Sequence, residues 1–124
     1  MHGVDVGLVK SVQAFAESIP GPIHGLVNNA GALLTKRVLN DEGVEAHVAS
    51  HVLGTHALTK ALAAKFADGA SVVNVVSAGL YSARICMPAI ENGFASLEKN
   101  GKIDGALAYA VCKRAQLELT KRWA

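Results

Sequence analysis

Apolar residues fall at Leu8, Val9, Val12, Phe15 and Ala16, the spacing of one helix face. Pro20, Gly21 and Pro22 close that segment. "IHGLVNNAG" then reads as a short buried strand over Ile23–Asn28, running into a Gly turn. After a polar loop with Asn40 and Asp41, the pattern predicts a long helix from Glu42 to Phe66. Val44, Val48, Val52, Leu53, Ala57, Leu58, Ala61 and Leu62 form its inward stripe. "ADGA" reads as a helix stop, with Gly69 in the left-handed position. "SVVNVVS", rich in β-branched residues, predicts a strand over 71–77. An irregular stretch with Pro88, Gly93 and Asn100-Gly101 precedes a last helix over Gly105–Trp123, and the opening "GVDV" is read as the stub of a strand. Strands alternating with helices imply βαβ crossovers and a parallel sheet covered by helices on both faces.

Composition sharpens this picture without changing it. The length of 124 residues suits one domain, 1–124. Hydrophobic residues make up 51% and mean hydropathy is +0.29, as strands buried on both faces require. The net charge is +2, and no basic run is long enough for a nucleic-acid footprint. The longest apolar run, "ASVVNVVSAGLY", is broken by Ser71, Asn74 and Ser77, so no membrane span is expected. No secretory signal opens the chain. Cys86 and Cys112 lack metal-type spacing and read as reduced thiols of a cytoplasmic protein, with Cys112, beside Lys113, the candidate for reactivity.

The candidate chemistry lies in three stretches. In "AYAVCKRAQ", Tyr109 and Lys113 are four apart on the last helix and share a face. A phenol has a pKa near ~10, and a fixed cation beside it favours the phenolate. The pair is therefore suited to handing a proton to a carbonyl, or taking one from an alcohol. "LVNNAG" and "VVNVVSAG" each end a strand. In an open parallel sheet, ligands sit at the carboxyl ends of the strands. Asn29, Ala30 and Gly31 stand at one such end and Ser77 at the other, with Ser82 as the alternative hydroxyl.

The order NNAG, then NVxSAG, then YxxxK resembles the short-chain dehydrogenase/reductase family, over nearly the whole chain. The resemblance implies an α/β fold that is part of a doubly wound, Rossmann-type parallel sheet with flanking helices. It implies an NAD or NADP cofactor and a small-molecule carbonyl or secondary alcohol substrate. By the same resemblance Tyr109 is the acid/base, Lys113 lowers its pKa and holds the cofactor ribose, and Ser77 hydrogen-bonds the substrate carbonyl. Asn29, Ala30 and Gly31 line the cofactor, and Asn28 holds the sheet. Asp5 and Val6, in "VDVGLVKSV", match the acidic and apolar pair beside the adenine; a solvated terminal role for Asp5 is the alternative.

The sequence also departs from that family. No Gly-rich TGxxxGxG turn opens it, and it stops at Trp123-Ala124, so it is expected to be an internal fragment without the final strands. His51 stands where the family places a relay asparagine. His47 and His51 are four apart, but "HVASH" lacks the Glu of HExxH, so no metal site is expected. Ser77 and Tyr109 are separated by a longer insert than is common in the family. The long helix and the last helix are the expected surface of a homo-oligomer. Alternatives to the oxidoreductase reading are a truncated, non-catalytic homologue that associates through those helices, and an epimerase or dehydratase on the same scaffold.

Overall fold

A computed structural model of the protein describes residues 3–124. Helix α1, Val9–Ser18, and strand β1, Ile23–Asn28, occupy the positions that the apolar pattern predicts. Helix α1 buries Val12 and Ala16. Its unpaired first-turn amides are satisfied from a distance: the Glu42 carboxylate accepts from Val9 N at 2.9 Å and Lys10 N at 3.1 Å. Those bonds hold the Glu42 carboxyl below its ordinary pKa. Glu42 is thus spent on α1 and does not begin the long helix.

The long helix runs over 46–65, shorter at its start than the predicted 42–66. It contains a π-helical segment Val48–Gly54, then α2, Thr55–Leu62, and a closing 3-10 turn Ala63–Lys65. Glu45 caps it, its Oε2 accepting from His47 N at 2.9 Å and Val48 N at 3.1 Å. The wide π turns redirect side chains, so Leu53 is exposed while His51 and Thr55 face inward.

Strand β2, Phe66–Asn74, begins earlier than the predicted 71–77 and ends sooner. It pairs in parallel with β1, Leu26 opposite Val72 and Asn28 opposite Asn74. "ADGA" is absorbed as a bulge: Ile23 pairs with Phe66 and Gly25 with Ser71, and Gly69 takes φ +76°. Among the described residues the sheet has these two strands. Residues 3–6 are not a strand; Asp5 instead forms a turn, its Oδ1 accepting from Gly7 N at 2.9 Å.

The helices lie on one face of the sheet. Val12, Ala16, Leu58 and Leu62 form a core with Leu26 and Phe66. On the opposite face Val27, 63% exposed, is paired with Val73, 50% exposed. The expectation of helices on both faces is therefore corrected, because α1, α2 and the last helix, α4, Gly105–Trp123, all pack on the side of Leu26, Asn28 and Asn74. A second core joins α4 to a short helix α3, Met87–Glu91, and the loop beyond it, through Ile90, Phe94, Ile103, Val111 and Cys112. The candidate site lies between the two cores.

A closed ring of hydrogen bonds ties these layers. Asn28 Nδ2 donates to Thr59 Oγ1 at 3.1 Å and Asn74 Oδ1 at 2.8 Å. Asn74 Nδ2 donates to Thr120 Oγ1 at 2.9 Å, and Thr120 donates in turn to the Gln116 carbonyl at 2.8 Å. Gln116 Nε2 donates to Thr55 Oγ1 at 3.0 Å, and Thr59 closes the circuit on the Thr55 carbonyl at 2.8 Å. Each member is satisfied by another, which is how buried polar groups avoid their desolvation cost.

Candidate active site

Helix α4 begins where Asp104 accepts from Leu107 N at 2.9 Å, a side-chain cap on a free first-turn amide. That start places Tyr109 and Lys113 on one face. Lys113 is almost wholly buried, with its Nζ 5.6 Å from the Tyr109 ring centroid, within cation–π range. Its ammonium donates to Val75 O at 2.6 Å and to Gln116 Oε1 at 3.0 Å. Burial lowers its pKa.

His51 approaches from the long helix. Its ring stands edge-on to Tyr109, centroids 5.0 Å apart. Its Nε2 donates to Ala32 O at 2.9 Å. Among the described residues its Nδ1 has no hydrogen-bond partner. Burial lowers the His51 pKa, because an imidazolium there would lose its water without gaining an acceptor for the second N–H. The neutral ring is the resident form.

The two anchors locate Tyr109. Val75 follows the end of β2, and Ala32 follows the turn that ends β1. Lys113 and His51, both against the tyrosine, are each bonded to a carbonyl past a strand's carboxyl end. Ser77 is half-buried two residues beyond Val75, at the start of a 3-10 turn over Ala78–Ser82. Its Oγ accepts from Gly79 N at 3.3 Å. That turn rests against α4 at Ala110, beside Tyr109. Ser82 is exposed and donates to Gly79 O at 2.7 Å. Among the described residues no hydrogen bond links Tyr109 to Ser77 or to Lys113; Lys113 meets the tyrosine through its ring, and Ser77 nears it only through the turn packed on α4.

Of the seven residues read as cofactor-binding, Asp5, Val6, Asn29, Ala30 and Gly31 line two cavities that share Val6 and Ser50, whereas Tyr109 and Lys113 line neither. One, of about 380 Å³, has Asp5, Val6, Gly31 and Ala32 in its wall. The other, of about 240 Å³, has Val6, Asn29 and Ala30. The larger is also lined by Asn40, whose side chain donates to Gly7 O. Sequence reasoning missed Asn40, Thr55 and Gln116. Gln116 alone carried a usable signal, standing three residues after Lys113 on the same helix. His47 and Glu45 lie behind His51, with His47 Nδ1 2.8 Å from Glu45 Oε1. Cys112, wholly buried in the second core, has its thiol pushed up to about 12, mainly by burial, and is no reactive group at neutral pH.

A two-stranded parallel sheet with helices over it, and polar groups at the strands' carboxyl ends, is part of a Rossmann-type fold. The chain belongs to the short-chain dehydrogenase/reductase family. It is 34% identical to bovine dehydrogenase/reductase SDR family member 12 over its whole length, and it spans 38% of that relative. A crystal structure of an uncharacterized protein from Mycobacterium paratuberculosis matches 98% of the chain with a TM-score of 0.80 at 29% identity, over 43% of that structure. A short-chain dehydrogenase/reductase from Burkholderia phymatum in complex with NAD matches 97% of the chain and 39% of its own, with a TM-score of 0.58 at 21% identity. No family model matches the chain. Among the described residues, no helix is long and apolar enough to cross a membrane.

Proposed function

We propose that the protein is an NAD(P)-dependent oxidoreductase segment that interconverts a small carbonyl compound and its secondary alcohol. The observation that carries this reading is the contact of Tyr109 with both Lys113 and His51, each of them held to a carbonyl past the end of one of the parallel strands.

The nicotinamide cofactor supplies or accepts the hydride. The chain supplies binding, orientation and the proton. Asp5, an acceptor at the wall of the larger cavity, suits the amino group of an adenine beside Val6, and Asn29, Ala30 and Gly31 line the same pair of cavities. In reduction, the Tyr109 hydroxyl donates its proton to the carbonyl oxygen as the carbon receives the hydride; in oxidation the proton returns. The buried ammonium of Lys113 favours the phenolate left behind. Ser77 orients the substrate oxygen. His51, in the place of a relay asparagine, offers the free lone pair of Nδ1 as an acceptor behind the tyrosine. Association of two copies through the long helix and α4 is consistent with an apolar cavity of about 280 Å³ lined by Val52, Ala115 and Leu119. The free thiols Cys86 and Cys112 fit a reducing, cytoplasmic setting.

Titration of the purified, folded chain with NADH and NADPH, followed by nicotinamide fluorescence, tests this reading. Saturable binding is expected, and its absence would discard the reading. Tyr109→Phe should lower turnover by about 10²–10⁴-fold with cofactor affinity retained. Unchanged turnover would remove Tyr109 from the chemistry.

A further inference from the structure

The backbone that leaves β1 and its turn passes between the long helix and the start of α4. Two imidazoles on the long helix read its polar groups in succession. His51 Nε2 is 2.9 Å from Ala32 O, and His47 Nε2 is 3.0 Å from Leu34 N. A carbonyl oxygen can only accept and an amide N–H can only donate, so the partners dictate the protons. His51 carries its hydrogen on Nε2 and leaves Nδ1 bare. His47 must present a bare Nε2, and its hydrogen sits on Nδ1, directed at Glu45 Oε1 at 2.8 Å. Glu45 is itself fixed by the amides of His47 and Val48. All three side chains are buried.

The same backbone is confined on both sides, by the His51 ring and by the start of α4. A Cβ on Gly31 would fall 2.0 Å from His51 Cε1, and one on Gly105 would fall 1.8 Å from Leu34 O. Ile103 N donates to Thr35 O at 3.2 Å. Residues 31–34 therefore have a ring on one flank, a helix start on the other, and a hydrogen bond at each end.

We infer that His47 and His51 are positioning residues that clamp backbone 31–34 in opposite tautomers. The clamp fixes Gly31 and Ala32 in the wall of the larger cavity, while the His51 ring that holds them abuts Tyr109. Its role in cofactor binding rests on the function proposed above; its geometry does not.

Long-range 1H–15N correlation spectra of the histidine-labelled chain at neutral pH separate the two. His47 should show the Nδ1–H pattern and His51 the Nε2–H pattern. Two rings in the same tautomer would overturn the clamp. In His47→Phe, which keeps a ring but loses both bonds, the Leu34 amide should exchange about tenfold faster while Val27 in β1 is unmoved. NADH or NADPH affinity should fall by a similar factor. Unchanged exchange at Leu34 in a folded variant also overturns the clamp, and faster exchange with unchanged affinity refutes its role at the cavity wall. If His47→Phe does not fold, the tautomers of the unaltered chain decide. If neither nucleotide binds the unaltered chain, the cofactor reading fails while opposite tautomers still uphold the clamp.

Discussion

The Gln116 carboxamide oxygen accepts from the Lys113 ammonium at 3.0 Å, while its amide donates to Thr55 Oγ1 at 3.0 Å. One buried side chain thus joins the cation beside Tyr109 to the ring of hydrogen bonds that ties sheet to helices. Gln116→Met, close in volume, takes away the acceptor and leaves the ammonium and Thr55 short of a partner. We expect a loss of roughly 1–3 kcal/mol, read as a lower denaturation midpoint at constant slope. The Lys113 pKa, already lowered by burial, should fall further in that variant and rise toward 10.5 in Gln116→Glu. NMR titration of the lysine side chain measures both shifts, and equal values in the two variants would count against the coupling.

Gly31 and His51 compete for the same space. Gly31→Ala drives a methyl into the imidazole, and overpacking of this kind costs about 1–3 kcal/mol. His51→Ala opens room for it. The double variant should therefore be less destabilised than the sum of the two single changes, with a coupling of about 0.5–3 kcal/mol. Additive losses in denaturant unfolding would show that the turn and the histidine are independent.

Stability should decline with acid in two stages. The His51 pKa is lowered on folding from its ordinary 6.5, so below 6.5 the unfolded chain takes up a proton that the folded chain refuses. Its contribution is full above 6.5 and is lost as pH falls through the lower folded value. The groups around it are Tyr109, Lys113, His47 and Glu45. Glu42, lowered from 4.5 by the α1 amides, contributes above 4.5 and loses that contribution further into acid. Melting temperature measured against pH should show the first decline vanish in His51→Asn and the second shrink in Glu42→Gln, with Glu118, lowered from 4.5 by its bond to Lys121, supplying the remainder.

Much of this architecture is written in local pattern. β1 and α4 are bounded by turn residues, Pro20 to Pro22 before one and Asn100-Gly101 before the other, and both strand and helix fall where periodicity and punctuation place them. The long helix is less legible. A regular 3.6-residue period counts Leu53 as inward, whereas the π segment exposes it and turns His51 and Thr55 to the interior. Its start was misjudged because Glu42 serves a helix more than thirty residues away. The Tyr109–Lys113 pair is legible as a spacing on one helix. Its anchors are not, because Val75, Thr55 and Ala32 are brought to it by tertiary packing. The open sheet face is not legible within the strands themselves, since SVVNVV is the continuous β-branched run of a strand covered on both faces, although the side of Val27 and Val73 is open.

Cys112 follows from the same packing. Its neighbour in sequence, Lys113, turns toward the sheet, while the thiol enters the second core with a pKa of about 12. Alkylation needs the thiolate and an open path, so at neutral pH a probe meets exposed Cys86 at once and Cys112 only after α4 lifts away. The lag between the two is a built-in clock for detachment of the helix that bears Tyr109, readable by mass in one sample.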